Sequence, residues 1–308
     1  MNHKLIFFGN ERLATGVRTT AATLESLVKA GYEIAAVVSN FERGQSRSAR
    51  ALEIAEVAEA HHIPVLLPDK PTDILDQLRS FEATAAILVA YGRIVPQSII
   101  DIFPRGIINI HPSLLPLHRG PIPIESVILD GSTETGVSLM SLTKAMDAGP
   151  VYGQSKVSLD GTETKQALAD KLLDIGGSML IELLAGILNG AIVAQPQDEA
   201  QATYDKLITK DAGLIDWQKS AQQLAREIRA YAEWPKSRTV LGGKEVIITQ
   251  AHAHPNESAS DEPGSSSVGK QSGTIMVNTG AGVLCVGRLK PAGKPEMSAA
   301  AFLAGNQL

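Results

Sequence analysis

Short apolar segments alternate with helical patterns through the first third of the chain, and this alternation constrains the fold more than any other feature. Between the segments, apolar residues recur at helical spacing, as in the stretch from Leu13 to Leu27 that ends at Gly31. Apolar strands separated by helices are typical of a parallel sheet covered on both faces. The sequence therefore predicts an open, mostly parallel α/β sheet with helices on both faces. The segments that predict its strands include Lys4 to Phe8, Ile34 to Val38, Ala85 to Ala90 and Ile107 to Ile110.

The loops that follow these strands are candidate sites, because open α/β sheets bind ligands at the carboxyl ends of their strands. The loop after Phe8 begins with Gly9 and lacks the Gly-x-Gly-x-x-Gly pattern of dinucleotide-binding proteins. The Gly-x-x-x-x-Gly-Lys-Ser/Thr loop of nucleoside triphosphatases does not occur in the sequence either. These observations argue against a dinucleotide-dependent redox enzyme and against a P-loop enzyme.

The chain changes character near residue 190. A helical pattern from Thr162 to about Leu188 is followed by residues 191–204, which show no periodicity and contain Pro196. The remainder shows one amphipathic helix and several short alternating strands with glycine-rich turns, which is typical of a small barrel. We predict a first domain over residues 1–190, a linker over 191–204 and a smaller β-barrel domain over 205–308. The Ser-, Gly- and Pro-rich stretch from His254 to Ser272 is expected to be a flexible loop.

The composition is that of an ordinary globular protein. Of 308 residues, 44% are hydrophobic and 20% are charged, which is too apolar for general disorder. No uncharged apolar run reaches the ~20 residues that a membrane span requires, and the four apolar residues from Leu5 to Phe8 are too few for a signal peptide. We therefore expect a cytoplasmic protein without membrane contact. As a separate expectation, we predict a monomer. The single cysteine, Cys285, has apolar neighbours and is expected to be a packed thiol.

Charge is distributed unevenly between the two predicted domains. Up to Tyr204 the chain has 16 basic and 23 acidic residues, and after it 12 basic and 10 acidic residues. This difference is a weak indication of a polyanionic partner on the second domain, and chance variation explains it equally well.

The pairs His61/His62 and His252/His254 have no nearby cysteine or carboxylate to complete a metal site. We predict no metal.

Three polar residues form the strongest candidate site. Asn109 and His111 alternate at the end of a predicted strand, so their side chains lie on the same side. Asp147 lies in the loop after the apolar segment Val137 to Leu142, where its carboxylate can approach them. Such a set suits acyl transfer: the amide donates to an oxyanion, the imidazole exchanges a proton with an amine, and the carboxylate orients the imidazole. Taken without Asp147, the first two residues fit a structural role at a strand end equally well.

The residues around this site resemble a known family. The chain reads Asn-x-His-Pro-Ser-Leu-Leu-Pro-x-x-Arg-Gly-x-x-Pro-Ile from Asn109 to Ile124, then Gly-x-x-x-Thr-Gly-Val from Gly131 to Val137, then Asp147-x-Gly149. This combination resembles the folate-dependent formyltransferases. The resemblance implies that Asn109, His111 and Asp147 catalyse transfer of a formyl group from 10-formyltetrahydrofolate to an amine through a tetrahedral intermediate.

The resemblance also implies a folate pocket and a second substrate. The stretch from Pro291 to Ala299, with Ile215-Asp216-Trp217 and Trp234-Pro235, resembles the carboxy-terminal domain of the family members that formylate methionine on initiator tRNA. The implied product is N-formylmethionyl-tRNA for translation initiation. The resemblance implies that residues 1–190 form the catalytic domain and that the second domain is an OB-like barrel which, with the linker, holds the tRNA. The residues implied to shape the folate pocket are Ser113, Leu114, Leu115, Pro116, Tyr91, Gly92, Arg93 and Ile94.

The chain departs from the family pattern in the loop after Val38. This loop is shorter than usual and retains Arg43, Arg47 and Arg50, which are candidate tRNA contacts or, equally, solvated charges at the start of a helix.

Two alternative functions follow from the resemblance: formylation of a sugar nucleotide or another small amine, and a catalytically silent RNA-binding homologue. The intact set of Asn109, His111 and Asp147 argues against the silent homologue.

Overall fold

The chain folds into two compact units. The computed structural model describes residues 3–10, 16–17, 19, 21–40, 53–255, 261–269 and 273–308. The first unit contains the described residues up to Pro123 together with Glu134–Leu159 and Gln166–Lys206, and the second contains Ile124–Thr133, Asp160–Lys165 and Leu207–Leu308. Because each unit combines separate parts of the chain, the boundaries predicted at residues 190 and 204 stay a prediction.

The first unit is built on a seven-stranded sheet with the strand order β3-β2-β1-β4-β5-β6-β7. Strands β1 to β5 pair in parallel, and β6 and β7 extend the sheet antiparallel at one edge. The prediction of an open, mostly parallel α/β sheet is therefore confirmed. The strands are β1 (Lys4–Gly9), β2 (Glu33–Val38), β3 (Val65–Leu66), β4 (Ala85–Val89), β5 (Ile107–His111), β6 (Glu134–Ser141) and β7 (Val151–Ser158).

Helices cover both faces of this sheet, which explains why its strands are apolar throughout. Along β1, Leu5 and Phe7 pack into one core cluster and Ile6 and Phe8 into the other, as the period of two requires. The first cluster includes residues of α1, α2 and α6, and the second includes residues of α3 and α4. The helices that begin in this part of the chain are α1 (Ala22–Lys29), α2 (Glu53–Ala60), α3 (Leu75–Ser80), α4 (Gln97–Ile100), α5 (Pro123–Asp130) and α6 (Lys165–Asn189).

Helix α6 is the long helix predicted between Thr162 and Leu188. Within the described part of the chain, this helix is long and apolar enough to cross a membrane, judged by length and composition alone. Its Leu180, Leu184 and Ile187 pack in the core of the first unit, so burial against the sheet accounts for its apolar character. The absence of a membrane span, expected from the short apolar runs, stays a prediction.

The second unit contains a curled antiparallel sheet with the order β10-β11-β12-β9-β8 and with β13 paired to β12. Leu224 and Ile228 of α7 pack on Val286 and its neighbours in a separate apolar core. The small β domain is therefore confirmed. Its elements are α7 (Ala221–Ala230), β8 (Ser237–Leu241), β9 (Lys244–His254), β10 (Ser266–Val268), β11 (Ile275–Asn278), β12 (Val283–Pro291), β13 (Met297–Ser298) and α8 (Ala299–Leu303).

One part of the predicted flexible loop in the second unit is a strand. Ser266–Val268 forms β10, with Ser266 opposite Val277 and Val268 opposite Ile275. An edge strand pairs through its backbone, so a serine-rich composition does not prevent it from joining a sheet. The stretches 256–260 and 270–272 of the same predicted loop lie outside the described residues.

Candidate active site

Asn109 and His111 lie at the carboxyl end of β5, between β4 and β6. Asn109 is opposite Leu88 of β4 and Met140 of β6, and His111 is the last residue of the strand. Their exposed fractions are 6% and 4%. Because they are two residues apart on a strand, both side chains lie on the same face of the sheet. The structure therefore places two of the three proposed catalytic residues at the sheet edge that the sequence indicated.

Asp147 approaches His111 from the turn after β6. Its Oδ1 lies 3.8 Å from His111 Nδ1, and its Oδ2 accepts a hydrogen bond of 2.8 Å from the Gly120 amide. A separation of 3.8 Å is longer than a hydrogen bond and short enough for a strong charge interaction. The carboxylate therefore lies beside the His111 ring without a hydrogen bond joining the two atoms.

The partner of His111 Nε2 determines which ring nitrogen carries the hydrogen in the neutral state. His111 Nε2 lies 3.0 Å from the carbonyl oxygen of His118. Since a carbonyl oxygen can only accept, we assign the hydrogen to Nε2. Nδ1 then presents a lone pair on the side of Asp147, and a proton taken up there forms an imidazolium next to a carboxylate.

The turn that carries Asp147 needs a glycine two residues later. A Cβ atom at Gly149 would lie 1.8 Å from the carbonyl oxygen of Ser141, so a side chain does not fit between the turn and β6. Asp147 itself has a φ of 48°, in the left-handed region that aspartate tolerates better than most residues. The Asp147-x-Gly149 spacing thus has a steric reason in this fold.

The loop from Ser113 to Pro116 is held by hydrogen bonds within the first unit. Ser113 Oγ donates to the Leu117 carbonyl at 2.6 Å. Ser138 Oγ of β6 donates to the Ser113 carbonyl at 2.6 Å and accepts from the Leu115 amide at 3.1 Å. Ser113 is fully buried, and the peptide bond before Pro116 is cis. The Ser113 hydroxyl therefore shapes the loop from within.

Two further predicted pocket positions in this loop are supported by neighbouring strands. Gln154 of β7, opposite Ser138, donates 2.8 Å hydrogen bonds to the Leu115 carbonyl and to Ser138 Oγ. Leu114 packs where a Cβ atom at Gly136 would lie 2.5 Å from its Cδ2. The glycine of the Thr-Gly-Val motif therefore makes room for Leu114.

The side chains from Tyr91 to Ile94 lie in different environments. Tyr91 is fully buried and packs edge-to-face on Phe8 with ring centroids 5.3 Å apart, and burial raises the pKa of its hydroxyl. Gly92 follows with a φ of 73°, and Arg93 donates to the carbonyl oxygens of Pro68 and Asp69. Ile94 is 83% exposed. The buried Tyr91 ring therefore supports the loop from the core, and Ile94 is its exposed apolar side chain.

Three further predictions concern tRNA contact, metal binding and the single cysteine. Arg43, Arg47 and Arg50 lie outside the described residues, and their role in tRNA contact stays a prediction. Within the described ranges, no group of three or more His, Cys, Asp or Glu side chains is placed to hold a metal ion. Cys285 lies half-buried on β12 opposite His252.

Sequence reasoning missed three residues that support the site. Gln197 donates to the carbonyl oxygens of Asp147 and Gly149, at 2.7 Å each. Gln154 and Ser138 hold the loop after β5, and Ser138 was detectable as a polar residue inside the apolar segment from Val137 to Leu142. Gln197 follows a proline in a stretch without periodicity, so no pattern identified it.

Comparison with known proteins defines the class to which this fold and site belong. The formyl transferase family model matches residues 4–184, and the model of the formyl transferase carboxy-terminal domain matches residues 207–307. Together the two matches account for almost the whole chain. Its class is therefore that of the two-domain formyltransferases.

Full-length relatives narrow the class further. A methionyl-tRNA formyltransferase of Chloroflexus aggregans is 37% identical over 98% of this chain and 97% of its own length. A methionyl-tRNA formyltransferase of Pseudoalteromonas translucida is 35% identical over 98% of this chain and 94% of its own length. The chain belongs to the methionyl-tRNA formyltransferase family.

Solved structures of more distant proteins share the fold. WlaRD, a sugar 3N-formyl transferase solved in the presence of dTDP and 5-N-formyl-THF, has a TM-score of 0.69 at 17% identity over 96% of this chain and 100% of its own. HypX from Aquifex aeolicus in complex with tetrahydrofolic acid has a TM-score of 0.63 at 17% identity over 98% of this chain and 47% of its own. At these identities the likeness concerns the fold alone.

Proposed function

We propose that this enzyme formylates the amino group of methionine carried by initiator tRNA and so supplies N-formylmethionyl-tRNA for translation initiation. Formyl-tetrahydrofolate is the formyl donor of its family. The observation that carries the proposed acceptor is the similarity to methionyl-tRNA formyltransferases along the full length, including the carboxy-terminal domain. Basic residues on that domain would contact tRNA phosphates, so tRNA affinity should fall as salt is raised.

The reaction joins an amine nitrogen to the formyl carbon and releases a folate nitrogen. The neutral amine attacks the formyl carbon, and the carbonyl oxygen becomes an oxyanion in the tetrahedral intermediate. Asn109 lies nearly buried at the strand end, where its amide N–H can donate to this oxyanion. Such donors act strongly in a site that excludes water, because little solvent screens them.

One proton must leave the attacking amine, and one must reach the departing folate nitrogen as the old C–N bond breaks. His111 Nδ1 is the atom suited to both transfers, because Nε2 is held by the His118 carbonyl. While Nδ1 carries the proton, the Asp147 carboxylate at 3.8 Å stabilises the imidazolium. Asp147 is oriented for this by the Gly120 amide. No covalent enzyme intermediate is required.

A panel of formyl acceptors tests the proposed function. The wild-type enzyme is incubated with radiolabelled 10-formyltetrahydrofolate and one of five acceptors: methionyl initiator tRNA, methionyl elongator tRNA, free methionine, an amino-sugar nucleotide or glycinamide ribotide. We expect kcat/KM for the initiator tRNA to exceed that for every other acceptor by about 100-fold or more. Preferential transfer to the sugar or to glycinamide ribotide contradicts the proposal, and so does tRNA binding without any transfer.

A further inference from the structure

Arg119 is a fully buried cation whose hydrogen bonds all go to one segment of the chain. Its exposed fraction is 0%. Nη1 donates to Glu199 Oε2 and the Tyr204 hydroxyl, Nη2 to Glu199 Oε1 and Gln197 Oε1, and Nε to Gln197 Oε1, at 2.7–3.0 Å. All five N–H groups of the guanidinium are therefore used. We name the set of Gln197, Arg119 and Glu199 the brace.

Gln197 links the brace to the turn that carries Asp147. Its Oε1 accepts from Arg119, and its Nε2 donates to the carbonyl oxygens of Asp147 and Gly149, at 2.7 Å each. The opposite orientation of the amide would place its NH₂ group against the guanidinium, so the chemistry of the partners fixes the assignment. Both N–H groups of the Gln197 amide therefore donate to the turn that carries Asp147.

A second set of hydrogen bonds, made by the backbone of Arg119 and Gly120, leads to the Asp147 carboxylate. The backbone of Arg119 donates to the Thr203 carbonyl at 2.9 Å and accepts from the Asp205 amide at 2.8 Å. The next residue, Gly120, donates its amide to Asp147 Oδ2 at 2.8 Å. Asp147 is therefore fixed at its main chain by Gln197 and at its side chain by Gly120. Both bonds act on the residue whose carboxylate lies 3.8 Å from His111.

We propose that Gln197 is a positioning residue that acts on formyl transfer through Asp147. The inference rests on the proposed function, because it requires Asp147 to act on His111 in that reaction. Asp147 occupies the left-handed region at a φ of 48°, which aspartate tolerates but does not prefer, so the hydrogen bonds from Gln197 help to hold it there. Without the two hydrogen bonds from Gln197, the turn can relax and the carboxylate can move away from His111.

The variant Gln197→Glu separates this role from simple packing. A carboxylate of the same length still accepts from Arg119, so the buried cation keeps a partner, but it cannot donate to the Asp147 and Gly149 carbonyls. We expect kcat to fall between about 10- and 100-fold, the scale of a misplacement near 1 Å. The KM for formyl-folate should stay within about threefold and the binding stoichiometry should be unchanged, since the hydrogen bonds of the Gln197 side chain go to Arg119 and to the Asp147 turn. The matched control is Gln195→Glu, the same substitution at an exposed side chain two residues earlier, which donates to the Val193 carbonyl and lies outside the brace. It should leave kcat within about threefold.

A double-mutant cycle with Asp147→Asn provides the decisive readout. If Gln197 acts through Asp147, Gln197→Glu lowers kcat in the wild type and changes it less than about threefold in the Asp147→Asn background. Equal losses in both backgrounds overturn the proposal, and so does an unchanged kcat in Gln197→Glu alone. Gln197→Met serves as a second variant, and failure of both to fold shows a structural role only. If Asp147→Asn itself keeps normal turnover, the catalytic assignment fails first and the inference fails with it.

Discussion

Two buried cations, one in each unit, are compensated by different kinds of partners. Arg119 in the first unit and Lys165 in the second both have an exposed fraction of 0%. Arg119 distributes five directed hydrogen bonds over an amide, a carboxylate and a hydroxyl. Lys165 Nζ lies 3.5 Å from Glu125 Oε1 and 3.2 Å from Glu233 Oε2, and donates to the Trp234 carbonyl at 3.4 Å.

The difference suggests two roles for a buried charge: to orient the residues of a site, or to stabilise the fold. The planar guanidinium of Arg119 fixes the direction of each partner, so the brace transmits geometry to Asp147. The ammonium of Lys165 is a point charge that two carboxylates share, and it does not fix their orientation as tightly. We therefore expect changes at Lys165 to affect stability and changes at Arg119 to affect turnover as well.

The largest expected effect is loss of stability in Lys165→Met. The substitution leaves Glu125 and Glu233 without their shared cation, and an uncompensated buried charge costs about 3–5 kcal/mol. Denaturant unfolding followed by circular dichroism should show this loss in the free energy of unfolding. The control Glu233→Gln, at a side chain that is 33% exposed, should lose less. A stability of Lys165→Met equal to that of the wild type would show that the cluster does not hold the second unit together.

An intermediate effect is expected for Arg119→Lys. The positive charge remains, but the fork that satisfies Gln197 and Glu199 together is lost. Unfolding should become easier by about 1–3 kcal/mol, and kcat should fall about tenfold because Gln197 loses its fixed partner. Measuring both quantities on the same preparation is informative: a stability loss with normal kcat would place Arg119 in the same class as Lys165 and remove the contrast between them.

The smallest effect is expected at an exposed arginine–glutamate pair of the second unit. Arg288 Nε donates to Glu296 Oε1 at 2.7 Å with both side chains more than 40% exposed. The hydrogen bond from Arg288 lowers the pKa of Glu296 below its ordinary value of 4.5, and Thr249 contributes in the same direction. The stabilisation is therefore present above pH 4.5 and is lost as the pH falls through the depressed pKa. Arg288→Gln should cost less than about 1 kcal/mol at pH 7.

The pH dependence of the same variant sharpens the comparison. The stability difference between the wild type and Arg288→Gln should shrink as the pH is lowered below 4.5, because Glu296 becomes neutral in both proteins. Urea unfolding at a series of pH values measures it. A difference that grows on acidification would contradict the sign of this linkage.

The sequence was most informative where side-chain periodicity determines position. Apolar runs located the strands of the first unit, and the spacing of two between Asn109 and His111 placed both at the end of β5. Ser266–Val268 was misjudged, because edge pairing depends on backbone contacts rather than composition. The part of Tyr91 in shaping the pocket stays a prediction. Its ring packs in the core against Phe8, which the sequence did not indicate, since a loop motif does not show which way an aromatic side chain turns.

The supporting residues were the hardest to foresee. Gln197 reaches Asp147 across a separation of 50 residues, and Arg119 depends on partners about 80 residues away. Such contacts arise from the path of the folded chain, and no local pattern encodes them. The one signal that the sequence offered is the motif from Asn109 to Ile124, which includes Arg119.

The most direct test is the rate of a single turnover by Asp147→Asn. Enzyme in excess, saturated with labelled 10-formyltetrahydrofolate, is mixed with methionyl initiator tRNA, and formylated product is followed in time. The account predicts a rate about 100-fold or more below that of the wild type, with formyl-folate binding and thermal unfolding unchanged. A rate equal to that of the wild type would contradict it.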